Sequence, residues 1–154
     1  MPTTTGHVGI NVTSLGRSHD FYTDVFGLTR LGGSEDTGSE DADNKGRRFA
    51  FLGHGDRLVL TLWEQSGGRF DGSAPGLHHL SFEVASIDGV RAAEERLRAR
   101  GATFAYDGIV PHAEGAPSGG IFFEDPDGTR LEIYAKDGVS GTAPGGDAPT
   151  CGFF

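Results

Sequence analysis

The stretch that decides the fold is LHHLSFEV at residues 77–84, in which apolar and polar residues alternate. A period of two is typical of a β-strand with one buried face, because successive side chains point to opposite sides of a sheet. Leu80, Phe82 and Val84 then form the apolar face, and the opposite face begins with His79. The stretch therefore predicts a packed sheet that carries an imidazole on its polar side.

The same pattern occurs earlier, in HVGINV at residues 7–12. The offset between the two stretches is 72 residues, from His7 to His79 (79 − 7) and again from Val12 to Val84 (84 − 12). A short polar turn and a helical pattern follow each strand. The period is too long for a solenoid, and it indicates an internal duplication of two modules that each contain strands and a helix.

Both halves predict the element order β-α-β-β-β. The helix ends follow from Ser14 and Ser86 as N-caps and from Gly27 and Gly101 as stop signals. In the first half the pattern predicts a helix over Leu15–Phe26 and strands over Gly6–Val12, Leu28–Leu31, Arg47–Gly53 and Arg57–Glu64. In the second it predicts a helix over Ile87–Arg100 and strands over His79–Val84, Ala102–Tyr106, Gly119–Glu124 and Thr129–Ala135. The fold class is therefore α+β.

The two modules, residues 6–64 and 78–135, are flanked by segments without periodicity. We expect an N-terminal lead over residues 1–5, a linker over residues 65–77 and a flexible C-terminal tail over residues 136–154. Within the first module, Gly32–Gly46 carries five acidic residues and predicts a solvated loop. A lid, or a patch for a cationic ligand, is the alternative interpretation of that loop.

Composition excludes several classes of protein. The single cysteine, Cys151, allows neither an intramolecular disulfide nor a cysteine-based zinc site, which fits a reducing cytoplasm. A formal charge of −9 disfavours binding to nucleic acid or to an anionic membrane. No run approaches the roughly 20 apolar residues of a membrane span, and no signal segment is recognisable. We therefore expect a cytoplasmic protein whose partner is a small neutral or cationic molecule.

Polar residues of three predicted strands share one face of the sheet. In the last strand Glu132 lies on the side opposite to Leu131 and Ile133. If the apolar sides pack on the helices, Glu132 can converge with His7 and His79. Each of the three, taken singly, is more often an ordinary strand residue. Their matched facing favours a metal site, because two imidazoles and one carboxylate form a facial set suited to Fe(II), Mn(II) or a related divalent ion.

The sequence resembles the vicinal oxygen chelate superfamily, which includes glyoxalase I, ring-cleaving (extradiol) dioxygenases, fosfomycin-resistance enzymes and bleomycin-resistance proteins. The resemblance covers about residues 6–135. Its motifs are His7, Phe21-Tyr22, Gly27-Leu28, His79 and FEDPDGTRLEIY at residues 123–134. It implies that the paired βαβββ modules form curved mixed sheets, a half-barrel with the helices on the outer face. The half-barrel would surround a metal ion that chelates two neighbouring substrate oxygens.

The resemblance also implies a ligand set of His7, His79 and Glu132, with Fe(II) favoured and Mn, Ni or Zn as possible ions. Glyoxalase I usually adds a glutamate or glutamine from the fourth strand. Thr61 stands at that position here (132 − 61 = 71), and a neutral hydroxyl is a poor substitute. This departure weakens a glyoxalase assignment. Family members complete the site within one chain or across a dimer, and we expect a homodimer.

Other residues are candidates for catalysis or substrate binding. Phe122 stands where the ring-cleaving signature has an acid–base tyrosine, so Tyr134 or Tyr106 would have to substitute for it. His112 is either a proton carrier near neutral pH or an exposed loop histidine. Residues predicted to contact substrate are Trp63, Phe49 and Phe122, as the lining of an aromatic-binding cavity, and Arg130, as a partner for an anionic group.

Three functions compete at this point. The leading hypothesis is a metal-dependent enzyme, most like a ring-cleaving dioxygenase, with a glyoxalase-like lyase or isomerase as the alternative. A metal-free, drug-binding resistance protein would use the same concave surface, and the acidic balance of the chain would suit a cationic ligand. A weaker idea is a regulatory domain that contacts a partner through the tail containing Cys151.

Overall fold

A computed structural model describes residues 1–34, 48–146 and 148–152. The chain divides into two compact units, Met1–Arg69 and Phe70–Phe154. The division falls inside the predicted linker over residues 65–77. Most of the predicted acidic loop, Gly32–Gly46, lies outside the described residues.

The first unit contains one helix and one mixed four-stranded sheet with the strand order β1-β4-β3-β2. Its elements are β1 Val8–Asn11, α1 Leu15–Phe26, β2 Thr29–Gly33, β3 Phe49–His54 and β4 Arg57–Trp63. Strand β1 is parallel to β4, and the other pairings are antiparallel. The helix packs on β3 and β4, so the predicted order of this half is confirmed.

Helix α1 begins and ends where its sequence predicts. The side chain of Ser14 accepts a hydrogen bond from the backbone N–H of Arg17, and Gly27 takes the left-handed conformation (φ 63°) that ends the helix. The Glu64 carboxylate accepts a further bond, 2.6 Å long, from the N–H of Leu15. A residue that follows β4 therefore satisfies a free donor at the helix N-terminus.

The second unit repeats this arrangement with the strand order β5-β8-β7-β6. Its elements are β5 Leu80–Glu83, α2 Ile87–Ala99, β6 Val110–Pro111, β7 Gly119–Glu124 and β8 Arg130–Ala135, followed by a short 3₁₀ helix, Thr150–Gly152. Gly9 pairs with Thr61 in parallel β1 and β4, and Ser81 pairs with Glu132 in parallel β5 and β8. The two pairings are the same position of the repeat, which confirms two βαβββ modules.

One strand of the second unit differs from its prediction. The stretch Ala102–Tyr106 forms only a single bridge, from Phe104 to Phe123, and the third strand is the two-residue β6. Strand β6 approaches β7 closely because position 119 is glycine. A Cβ there would overlap the carbonyl oxygen of Val110. Two residues carry no periodic signal, so the sequence pattern could not reveal this strand.

The described part of the C-terminal segment, which the sequence predicts to be a flexible tail, makes hydrogen bonds to the second unit. The N–H of Val139 donates to the carbonyl of Pro117 (2.9 Å). Thr150 is fully buried, and it donates its hydroxyl to the Pro111 carbonyl (2.6 Å) and its N–H to the His112 carbonyl (2.9 Å). These bonds hold the segment against β6.

Neither helix in the described part of the chain is long and apolar enough to cross a bilayer.

Candidate metal centre

Strand β8 has one apolar face and one face that carries polar side chains. Leu131 and Ile133 are buried on the side that packs on α2. Glu132 points to the opposite side, where the register places it next to Ser81 on β5 and Phe122 on β7. The glutamate is only 3% exposed. A buried carboxylate is costly unless neighbouring groups or a cation compensate it.

Two imidazoles flank the Glu132 carboxylate, one at each oxygen. Nε2 of His112 lies 2.6 Å from Oε1, and Nε2 of His79 lies 3.7 Å from Oε2. His112 and Oε1 are within hydrogen-bond distance, whereas His79 and Oε2 are too far apart for a hydrogen bond. Oε1 is therefore bonded within the protein, and Oε2 faces an imidazole nitrogen to which it is not hydrogen-bonded.

The position of His112 settles an alternative that the sequence left open. The residue directly follows β6, and its side chain is 27% exposed. Nδ1 lies 3.0 Å from the hydroxyl of Ser118, and the backbone N–H of His112 donates to the carbonyl of Ser118. His112 is thus a constrained neighbour of Glu132, and the interpretation as an exposed loop histidine is wrong.

His79 precedes β5, and its surroundings favour the neutral imidazole. Burial lowers the pKa of His79 below its ordinary value of 6.5, although the charge of Glu132 acts in the opposite direction. The neighbouring charges of His78 and Arg130 lower the pKa further. Nδ1 of His79 lies 2.8 Å from Nδ1 of His78, so one of these nitrogens donates to the other. Low proton affinity favours the neutral imidazole that a metal ion requires.

In the first unit the repeat places different groups at the equivalent positions. His7 immediately precedes β1 and is exposed, as expected for the counterpart of His79. Thr61 occupies the position of Glu132, is 3% exposed, and accepts a 2.9 Å hydrogen bond from the indole N–H of Trp63. Trp63 stacks on Phe49 with their ring centroids 5.1 Å apart. This half of the duplication therefore presents an aromatic surface and a hydroxyl where the other half presents a carboxylate.

The remaining predicted site residues lie on or beside the Glu132 side of the second sheet. The Tyr134 hydroxyl donates to Glu83 (2.9 Å), and this bond, followed by burial, raises the pKa of Tyr134 above 10.0. The Arg130 guanidinium lies over the backbone of Gly72, where an added Cβ would be 2.8 Å from Cζ. Phe122 is completely buried, with its ring near Tyr106 and His112, so its ring offers no surface to a substrate.

The donors of the second unit fit part of a divalent-ion site. His79 supplies an imidazole that favours its neutral form, and Glu132 supplies a carboxylate oxygen. Among the described residues, no three or more His, Cys, Asp or Glu side chains are arranged to hold a metal ion. The sequence repeat predicts His7 as a further ligand.

Comparison with known proteins agrees with the duplicated fold. The chain is 30% identical over 148 residues to a trivalent organoarsenical cleaving enzyme from Bacillus sp. (strain MD1), covering 94% of this chain and 80% of the relative. It is 32% identical over 143 residues to a lactoylglutathione lyase from Salmonella typhimurium (strain LT2), covering 88% and 95% of the two chains.

A solved structure, a glyoxylase/bleomycin resistance protein/dioxygenase domain from Frankia sp. EAN1pec, superimposes with a TM-score of 0.69 at 26% identity, covering 88% of this chain and 98% of the other. The family model described as Glyoxalase/Bleomycin resistance protein/Dioxygenase superfamily matches residues 4–133. The chain therefore belongs to this superfamily.

Proposed function

We propose that this chain is a metal-dependent lyase or isomerase that acts on a small molecule held through two neighbouring oxygen atoms. The observation that carries the proposal is Glu132, a carboxylate that is 3% exposed and has an imidazole at each oxygen. Members of the superfamily commonly bind divalent metal ions. A cation at Oε2 would compensate the cost of burying the charge, since His112 bonds to Oε1 whereas His79 lies 3.7 Å from Oε2.

His7, His79 and Glu132 would hold the ion, which would act as a Lewis acid on the substrate oxygens and stabilise negative charge there. The exposed His7 would complete the pair that the second unit supplies. Tyr134 is a candidate proton donor, because it lies on the same face of β8 as Glu132. The stacked rings of Phe49 and Trp63 supply apolar surface for a ligand.

Two features favour non-oxidative chemistry over ring cleavage. The similarity to the lactoylglutathione lyase covers 95% of that protein's length. In addition, the completely buried Phe122 stands where ring-cleaving enzymes have a tyrosine. Cleavage of an organoarsenical is disfavoured by composition, since soft centres prefer thiolate ligands and the chain has the single cysteine Cys151.

A ring-cleaving dioxygenase is the second candidate. The observation that favours it is Thr61. Its hydroxyl is bonded to Trp63, so it does not add a fourth ligand to the proposed set of two histidines and one carboxylate. Such a set with open positions is typical of non-haem Fe(II) oxygenases. Oxygen dependence separates the candidates, because O₂-independent turnover excludes the dioxygenase.

The test uses protein that has been stripped with a chelator and reloaded separately with Fe(II), Mn(II), Ni(II) or Zn(II). We expect one ion per site and turnover of a hemithioacetal or an epoxide in the absence of O₂. Glu132→Gln should weaken metal binding at least tenfold, whereas Glu95→Gln, at an exposed position of α2, should leave it unchanged. Tight ligand binding without any metal uptake would instead support a drug-binding protein and refute the proposal.

We also propose a homodimer, and complementation shows whether one chain or two complete each site. His7→Ala and Glu132→Ala variants are co-expressed, and the mixed dimer is isolated with two different tags. If the ligands come from different chains, the mixed dimer regains one intact site and binds one ion. If a single chain supplies all three ligands, the mixed dimer binds none.

A further inference from the structure

His112 has both ring nitrogens engaged, which distinguishes it from a free proton carrier. An ionised carboxylate can only accept hydrogen bonds, so Nε2 of His112 carries the proton and donates it to Oε1 of Glu132 over 2.6 Å. Nδ1 then accepts from the hydroxyl of Ser118 over 3.0 Å. Glu132 thereby selects the tautomer of His112, and Ser118 satisfies the other ring nitrogen.

The backbone of His112 is fixed as firmly as its ring. Its N–H donates to the carbonyl of Ser118 (3.0 Å), and its carbonyl accepts from the N–H of Thr150 (2.9 Å). Thr150 is fully buried and also donates its hydroxyl to the neighbouring carbonyl of Pro111. The backbone of His112 is therefore held by Ser118 on one side and by Thr150 of the C-terminal segment on the other.

The two carboxylate oxygens of Glu132 therefore have different surroundings. The bond from His112 occupies Oε1 and fixes the rotation of the carboxylate, so that Oε2 points toward Nε2 of His79. We propose that His112 is a positioning residue that presents Oε2 of Glu132 to the metal ion, with Ser118 and Thr150 holding it in place. This inference rests on the proposed function, since it assigns a role within the same site. Hydrogen-bond partners of metal ligands commonly change metal affinity by 10–100-fold.

The test measures the affinity for Mn(II) or Zn(II) by competition with a chromophoric chelator. We expect His112→Ala to weaken binding by about 10–100-fold and Ser118→Ala by a smaller factor. His112→Gln should restore most of the affinity, because its amide N–H can donate to Oε1. His54→Ala, at the exposed end of β3, is the matched control and should bind as the wild type does. Circular dichroism and thermal unfolding confirm that each variant folds.

Two further readouts separate positioning from proton transfer. In ¹⁵N spectra of the metal-free protein, His112 should show the tautomer protonated at Nε2. Glutamine cannot carry a proton at neutral pH, so a His112→Gln variant that keeps both affinity and turnover supports positioning. One that keeps affinity but loses turnover overturns it.

The remaining outcomes are also decisive. Wild-type protein that binds the ion, with a His112→Ala variant of equal affinity, refutes the positioning role and leaves the proposed function intact. Wild-type protein that takes up no divalent ion refutes the proposed function and, with it, this inference.

Discussion

Replacing Asp125 by alanine should strongly destabilise the second unit, because this side chain organises the turn between β7 and β8. Asp125 is 5% exposed, and its Oδ1 accepts hydrogen bonds of 2.8 Å from the N–H groups of both Asp127 and Thr129. Those two residues are buried as well, at 5% and 3% exposure. Alanine leaves both donors without this acceptor, and each such loss costs about 1–3 kcal/mol. The expected loss is therefore about 2–6 kcal/mol, with the lower end reached if water enters the turn.

The assay is urea-induced unfolding followed by circular dichroism, with the slope compared between variants so that a change in midpoint can be read as a change in stability. Asp125→Asn keeps a carbonyl oxygen at this point but loses the charge, so it should fall between wild type and alanine. Asp56→Ala, in the exposed turn between β3 and β4, should stay within about 0.5 kcal/mol of wild type. A loss below about 0.5 kcal/mol for Asp125→Ala would refute this account of the turn.

Three further expectations concern single groups. Thr61→Val removes the acceptor of the indole N–H of Trp63, so the free energy of unfolding should fall by about 1–2 kcal/mol. The fluorescence of this single tryptophan should also shift, and unchanged emission would contradict the hydrogen bond. Hydrogen bonds from Lys136 and Tyr134 lower the pKa of Glu83 below 4.5, so the stability it supplies is complete above pH 4.5 and is lost as the pH falls through the lowered pKa. Carboxyl NMR titration should show that low pKa, and the stability difference from Glu83→Gln should shrink in acid. Gly120→Ala should prevent stable folding, since its Cβ would overlap the backbone of β8, and a normal thermal transition would disprove the overlap.

Local signals were sufficient wherever residues close in sequence determine the structure. Helix α1 begins after Ser14 and ends before Gly27, because a cap and a left-handed residue act within one turn of the helix. The repeat offset was equally informative, since it carries register as well as element order. It correctly predicts that Thr61 occupies the position of Glu132 in the first unit.

Contacts that depend on loops could not be predicted in the same way. The hydrogen bond from His112 to Glu132 joins the residue after a two-residue strand to β8, and a loop and strand β7 separate the two residues in sequence. No periodicity marks such a pair. Likewise, the C-terminal segment lacks an apolar pattern because it is held largely through backbone groups, as at Val139 and Thr150, which any sequence possesses. Composition alone therefore does not reveal these hydrogen bonds.

The packing of Thr150 against β6 has a consequence for how the protein behaves in concentrated solution. An edge strand offers unpaired carbonyl and N–H groups to any extended chain and is a common starting point for aggregation. Here the chain covers its own edge, since Thr150 occupies the carbonyls of Pro111 and His112. Deleting residues 139–152 would uncover it. Such a truncated protein should elute early from a sizing column and precipitate on storage even where its helices remain intact.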